Sequence, residues 1–445
     1  HHVVSSEKEA YYRAVMAGVD MHMHGPGFWK GVVELVREGR IPESRIDEAA
    51  RAILRAKFEL GLFEHRFVDP QKIPERVFTP EHREFALKCA RESIILLKND
   101  GILPFSPDKK MTLFLTGPNA NNHTILGDWT RPQPEDHVVT VLEGLQKVAG
   151  NGVTIRYFDC GDDLFHLEDT RIRRAGELAR GADVSVVVVG SNSLRFQNDK
   201  KTSGENVDRA HINLFGKQLD LVKAVAAAGK PMVVVFVNSR PLAEPWIAEH
   251  AGAVLEVWEP GSMGGQAVAE VLFGRVNPSG RLPITIPRSE GQIQMIYNHK
   301  PSMYAHRYVD EKITPLYPFG FGLSYTTFEL SGLKLASPKV RKGEKLQVSV
   351  AVRNTGRVAG SEVVQLYLND EVSTYTRPVK ELKAFQKVHL QPGEQKTVRF
   401  TLDTRKLGYY DRDGNYVLEP GWFTVFVGRS SADEKALTGR FELVE

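Results

Sequence analysis

Residues 184–189, VSVVVV, are the stretch that most narrows what this chain can become. A run this rich in β-branched side chains, with no polar alternation, reads as a strand buried on both faces, and such strands belong to mostly parallel sheets covered by helices. The neighbouring patterns agree. Helix near 81–98, strand 111–117, helix near 138–149, strand 153–158 and helix near 169–181 precede it; helix 213–228, strand 232–237, helix 241–250, strand 253–258, helix 263–273 and strand 282–287 follow. Alternation of this kind predicts an α/β sandwich domain over 81–287. The valine run ends in Gly190 and a polar loop carrying Glu205, Asp208 and Arg209. Ligands of open parallel sheets bind outside the carboxyl ends of the strands, which makes this loop a functional candidate. Most charged loop residues are merely solvated, so position alone leaves both readings open.

The segments on either side have a different character. Ser5 or Ser6 can cap a helix through Tyr11 and Val15 that Gly18 ends, followed by a short strand over 19–23. A second helix over 28–39 carries Val32, Val33 and Val36 on one face. A third opens at Pro42 and Ser44, with Asp47 at the N3 position of a capping box, Ile46, Ala49, Ala50, Ile53 and Leu54 at helical spacing, and Gly61 as its stop. One strand with its helices cannot bury a core alone, so 1–64 reads as the C-terminal end of a larger α/β domain. Residues 65–80 hold three prolines and no period, a linker. Residues 288–325 form a Pro-, Gly- and Tyr-rich connector. Beyond it the period changes to two: Leu346, Val348, Val350 and Val352 alternate with polar residues, and EVVQLYLND, KTVRFTL and WFTVFVG repeat the pattern. Residues 326–445 therefore read as an all-β sandwich.

Composition excludes more than it selects. Of 445 residues, 42% are hydrophobic and 25% charged, and no run of eighteen apolar residues could span a membrane. A formal net charge of +3 with dispersed Lys and Arg argues against a nucleic-acid partner. Cys89 and Cys160 are too few and too far apart for a disulfide framework or a zinc motif. The opening HHVVSSEKEAYY reads as the middle of a protein, and nothing there indicates a compartment.

Glu205 is the first candidate for chemistry, because a general acid needs a carboxyl group on a loop that reaches substrate and is partly desolvated. Asp208 and Arg209 could orient that loop as a charge pair. Asp128 and Trp129, in ILGDWTRP after strand 111–117, should emerge on the same sheet edge as Glu205. A Trp face beside a carboxylate suits a sugar, the ring stacking on C–H groups while the acid binds hydroxyls; the competing reading is a Trp packed beneath its loop. His22 and His24 in MHMH would share one side of a strand, yet no third ligand stands at metal spacing, so no metal is expected. EPGSMGGQA, 259–267, enters a helix without P-loop or dinucleotide spacing, and its glycines read as close packing.

Taken together, AGVDMHM, RIDEAARAILRAKFELGLF, ARESIILLKND, the Glu205 loop with LFGKQLDLVKAV, GKPMVVVFVNSRPL, EPGSMGGQAVAEVLFGRVNPSGRLPITIP, YPFGFGLSYTTF and the final β domain resemble glycoside hydrolase family 3, particularly the bacterial β-glucosidases of periplasmic type. The resemblance covers nearly the whole chain. It implies a multi-domain α/β plus all-β architecture: the C-terminal end of a (β/α)8 barrel, an α/β sandwich domain and a fibronectin type III-like β-sandwich. It implies retaining hydrolysis of terminal β-D-glucosyl residues in small β-glucosides and cello-oligosaccharides, without a cofactor. SGENVDR followed by HINLFGKQ matches the family's acid/base loop at Glu205; Glu177 and Glu244, in helical segments, fit it worse. The nucleophilic Asp belongs to an SDW- or SDH-like motif absent from these residues, and neither Asp20 nor Asp128 matches it. Asp128, Trp129, Met23 and His24 are the candidate substrate contacts. A β-xylosidase or N-acetyl-hexosaminidase of the same family, or a non-catalytic sugar-binding module, are the rival readings. The implied partners are the substrate and the N-terminal barrel portion, with a homo-oligomer left open, and the implied location is periplasmic or secreted.

Overall fold

The computed structural model describes residues 3–106, 109–292, 294–302 and 307–445. Residues 293 and 303–306 of the expected connector, and 1–2 of the opening segment, lie outside the described residues. The chain divides into two compact units, His1–Thr79 and Pro80–Glu445.

In the first unit, helices α1 (Glu7–Met16), α2 (Phe28–Arg37) and α3 (Glu43–Glu59) are followed by a 3-10 turn and the single-turn α4 (Ile73–Arg76), so the expected linker carries helical turns. Ser6 caps α1 by accepting from the Glu9 amide at 3.2 Å. Val15, Leu35 and Ile41 form a small core with Tyr11, Tyr12 and Phe28 around it. Three expectations fail here. Residues 19–23 form no strand, because a strand persists only where a neighbour completes its ladder. Without it the MHMH alternation has no meaning: His22 lies flat on Phe28, 4.3 Å between ring centres, and Met23 and His24 are exposed. The capping box is also absent, since α3 starts after Pro42 with no side-chain cap and Asp47 falls past its first turn. None of the α3 side chains is fully buried, and Leu54 and Phe58 are exposed.

The second unit begins with α5 (Pro80–Ser93) and a six-stranded sheet in the order β1-β6-β5-β4-β2-β3: β1 (Ile95–Asn99), β2 (Met111–Thr116), β3 (Val153–Tyr157), β4 (Val184–Gly190), β5 (Met232–Val237) and β6 (Ala253–Trp258). Every neighbouring pair is parallel except β1, which runs antiparallel to β6. The helix expected to reach residue 98 thus stops at Ser93. Helices α6 (Val141–Val148), α7 (Asp169–Ala179), α8 (Gln218–Ala226), α9 (Pro245–His250) and α10 (Gly264–Leu272) complete the layers.

The valine run behaves as its composition demands. Val186 and Val188 enter a core with residues of α5, α6 and α10, while Val187 and Val189 enter a second core with residues of α7, α8 and α9. Two glycines of the 259–267 loop, Gly264 and Gly265, serve packing: a Cβ on Gly265 would lie 2.0 Å from the Thr140 carbonyl oxygen, so α10 seats directly on the chain entering α6, whereas Gly261, at φ +80° in open space, serves the turn.

Residues 282–287 form no strand of the sheet; only an isolated bridge joins Ile286 to Tyr317. Pro283 and Pro287 bracket the stretch and remove amides a ladder would need. The segment leads to a β-sandwich built from β7 (Phe328–Leu335), β8 (Lys339–Arg341), β9 (Lys345–Asn354), β10 (Gly360–Asp370), β11 (Glu381–Leu390) and β12 (Gln395–Asp403). The hairpin β13 (Tyr409–Tyr410) and β14 (Tyr416–Val417) follows, then β15 (Gly421–Gly428) and β16 (Leu437–Val444). Its sheets run β11-β10-β15-β16-β8 and β12-β9-β7. Leu346, Val348, Val350 and Val352 face the core between them, as period two requires. A buried ion pair of Arg281 with Glu362 ties the sandwich to the α/β layer.

Candidate active site

Strand order decides where a ligand can sit. From β2 the chain moves outward to β3 and then returns to place β4 on the other side of β2. That reversal opens a crevice between the carboxyl ends of β2 and β4, where the two connecting loops part in opposite directions. Asp128 and Trp129 lie on the loop after β2, and Glu205 lies on the loop after β4. The structure brings all three together.

The backbone of Glu205 is held on both sides. Its amide donates to Asp128 Oδ2 at 2.7 Å, and its carbonyl accepts from Lys201 Nζ at 3.1 Å. Lys201 Nζ also lies 3.4 Å from Asp128 Oδ2, and this Lys side chain is only 3% exposed. The turn that permits the geometry is Gly204, at φ +95°, where a Cβ would lie 2.6 Å from Asp128 Oδ2. Only glycine meets both conditions without strain. The Glu205 side chain is half exposed and ion-paired with Arg195. The Arg195 guanidinium lies 3.8 Å over the Trp129 ring and places Nε 3.3 Å from Asp128 Oδ1.

Asp128 has a structural task in addition to the substrate contact expected of it. Its oxygens accept from the amides of Trp129 (2.8 Å) and Glu205 and from Lys201, with Arg195 beside them. A carboxylate offers about four lone-pair sites, and protein hydrogen bonds take three of them, so Asp128 holds the loop whatever else it touches. Burial pushes the Asp128 carboxyl up, but these donors outweigh it and hold it below the ordinary range. Trp129 is 73% exposed, which removes the reading of a packed Trp. Asp208 and Arg209 make no ion pair with each other; Arg209 donates to Asn213 at 3.3 Å, and loop orientation falls to Arg195 and Lys201.

Glu259, at the end of β6, is a further member that sequence reasoning missed. It accepts from the Ser193 hydroxyl, and a Cβ on Gly127 would fall 2.3 Å from its Oε2. Burial raises its pKa, against the Ser193 hydrogen bond and with the Asp128 charge adding to the rise. Two neighbouring carboxyls thus shift in opposite directions, Asp128 held below its ordinary range by its donors and Glu259 lifted above it by burial. Deeper still, Glu256 is fully buried and accepts from Asn238 Nδ2 at 2.9 and 3.0 Å; burial pushes it up to about 8. Ser239, beside Asn238, donates from its hydroxyl to the Ser203 hydroxyl at 2.8 Å and so pins the chain next to Gly204.

The remaining candidates sit each within its own unit. Glu244 is buried and accepts from the Leu214 amide at 2.5 Å, and Glu177 is exposed on α7 beside Arg174. Asp20, Met23 and His24 belong to the first unit, where Asp20 pairs with Arg45 at 2.7 Å. The rule that selected Glu205, a carboxylate just past a parallel strand, also selects Glu259. Nothing in the sequence separates Arg195 and Lys201 from the other basic residues of their loop.

Comparison with known proteins converges. The sequence matches the Glycosyl hydrolase family 3 C-terminal domain over residues 94–325, more than half of the chain, and a Fibronectin type III-like domain over residues 362–431. It is 38% identical to a periplasmic beta-glucosidase of Salmonella typhimurium, over 100% of this chain and 61% of that protein. It is 39% identical to a beta-xylosidase of Formosa agariphila, over 97% of this chain and 61% of that protein. Among solved structures, a beta-glucosidase from Listeria innocua in complex with isofagomine superposes with a TM-score of 0.89 at 34% identity, covering 100% of this chain and 62% of that one. The chain thus spans about three fifths of the length of these relatives.

Proposed function

Because the chain belongs to glycoside hydrolase family 3, we propose that it carries the acid/base half of a retaining β-glycosidase, with Glu205 as that residue and small β-glucosides as substrates. The observation that carries this reading is the Glu205 cradle: a carboxylate at the topological switch point, with its amide, carbonyl and side chain each held by a separate partner. The relatives named beta-glucosidases support the substrate class.

In this reading two carboxyl groups about 5–5.5 Å apart flank the glycosidic bond. A carboxylate from the part of the relatives' length that this chain does not span attacks the anomeric carbon. As that bond forms, the bond to the leaving oxygen breaks and Glu205 gives its proton to that oxygen. Glu205, now a carboxylate, takes a proton from water as the water oxygen attacks the same carbon and the ester to the nucleophile breaks. Trp129 offers an aromatic face to the leaving sugar. The exposed apolar residues of the first unit, Trp29, Leu54, Phe58 and Phe63 among them, would be covered by that same part of the relatives' length. A periplasmic location follows from the Salmonella relative's name alone.

The test is Glu205→Ala in the complete enzyme. Hydrolysis of substrates with poor leaving groups should slow by about 10²–10⁴, while activated aryl glucosides, which depart without protonation, lose far less in the first step. Equal loss on both, with no rescue by azide, overturns the assignment. A β-xylosidase is the second reading, favoured by the Formosa relative; paired kcat/KM values on aryl glucoside and aryl xyloside decide between them.

A further inference from the structure

Among the described residues Arg195 is the cation that touches the Glu205 side chain, and the family assignment gives it no task. Its Nη2 donates to Glu205 Oε2, its Nε approaches Asp128 Oδ1, and its plane covers Trp129. A guanidinium has five donors and no acceptor. It therefore binds the ionised form of a carboxyl group much more strongly than the protonated form, because protonation removes the charge that assists the hydrogen bond. Resting on the acid/base reading above, we propose that Arg195 is a positioning residue for Glu205 that works in the second half of the reaction, when Glu205 must be a carboxylate and accept a proton from water.

The argument follows the proton. While Glu205 carries it, the Arg195 contact is weak and the carboxyl group is free to turn toward the leaving oxygen. Once the proton has gone to that oxygen, Glu205 is anionic, and the guanidinium, itself fixed between Trp129 and Asp128, captures it in one orientation. The attacking water then meets a base already in place. Removing this anchor leaves a carboxylate with the same backbone cradle but a freely rotating side chain, and small losses of alignment at a reacting group are costly. The cost falls on hydrolysis of the glycosyl intermediate and spares its formation.

Such an asymmetry has a kinetic signature that a general structural defect lacks. In the complete enzyme, Arg195→Met keeps an apolar stem against Trp129 and removes the charge. With an activated aryl glucoside, whose first step is fast, kcat and KM should fall together by about tenfold, the effect of one charge-assisted hydrogen bond. Rapid mixing should show a burst of aryl alcohol approaching one equivalent before the slow steady state. Arg195→Lys, which retains a cation without the planar fork, should recover part of kcat with a smaller burst; it also serves if the Met variant does not fold. The proposal is overturned if kcat falls with KM unchanged or raised and no burst appears, or if kcat does not change. Glu205→Gln, measured alongside, separates the two ideas. If it shows no dependence on leaving group, the acid/base reading itself fails; if it does and Arg195 shows no burst, only the role of Arg195 fails.

Discussion

Asp128→Ala tests whether the cradle is held by charge. In the native protein Lys201 has almost no water contact, and among the described residues its ammonium group hydrogen-bonds the Asp128 carboxylate and the Glu205 carbonyl. Deleting the carboxylate leaves that ammonium buried beside one neutral acceptor and frees the amides of Trp129 and Glu205. Removing one partner of a buried pair costs about 3–5 kcal/mol. Trp129 and Glu205, directly around the pair, are exposed, so water can relax part of the loss and about 3 kcal/mol is expected. Lys201→Met in the Asp128→Ala background should return about 2 kcal/mol, since the stranded charge is then gone while the lost amide bonds are not. Hydrogen exchange read by mass spectrometry on the complete protein isolates the effect, because it reports the local opening free energy of peptides spanning residues 191–206 independently of the other domains. Costs that simply add in the double variant, or a loss below about 1 kcal/mol in Asp128→Ala, would refute the ion-pair argument. The sign with pH is fixed as well. Asp128 has a folded-state pKa below its ordinary value, so its contribution is present above the unfolded pKa of about 4 and disappears as pH falls through the folded one.

Trp129→Ala should cost about 1 kcal/mol or less in stability, its stacking on Arg195 being its main contact, and should raise KM for disaccharides more than for aryl glucosides; a loss of several kcal/mol with unchanged relative KM would mark a packing role instead. Glu256 gives stability the opposite slope with pH. The folded state keeps its proton up to about 8 while the unfolded chain releases it near 4, so stability falls as pH rises through that window by on the order of 5 kcal/mol, and Glu256→Gln should flatten the slope in denaturant titrations between pH 5 and 8.

The parts of the fold that could be read from the sequence are those where one physical requirement dominated. Val184 to Val189 needed apolar surroundings on both faces, and period two in KLQVSVAVRN admitted only a half-buried strand. The misread parts are those where two requirements compete. Ile95–Asn99 continues from α5 without Gly or Pro, and five apolar-to-polar residues carry no period long enough to distinguish strand from helix; its antiparallel pairing with β6 decides it. Residues 282–287 have strand composition, but two prolines deny them a ladder. Residues 19–23 have the composition and no strand partner among the described residues.

The site divides along the same line. Loop position after a parallel strand nominated Glu205 and Asp128 separately, because that depends on local order alone. Their contact depends on β4 lying beside β2 with β3 on the outside, and strand order is a property of the whole sheet that no local stretch contains. Arg195 and Lys201 are further removed, since they reach Glu205 only after the loop from 191 to 203 doubles back, with the amides of Thr202 and Ser203 donating to the Asn192 carbonyl. That return brings a buried Lys beneath Glu205 and a stacked Arg beside it. One turn of chain thus supplies both the fixed backbone and the movable partner of the carboxyl group, and a substitution that opens the turn should impair both together, whereas Arg195→Met removes only the second.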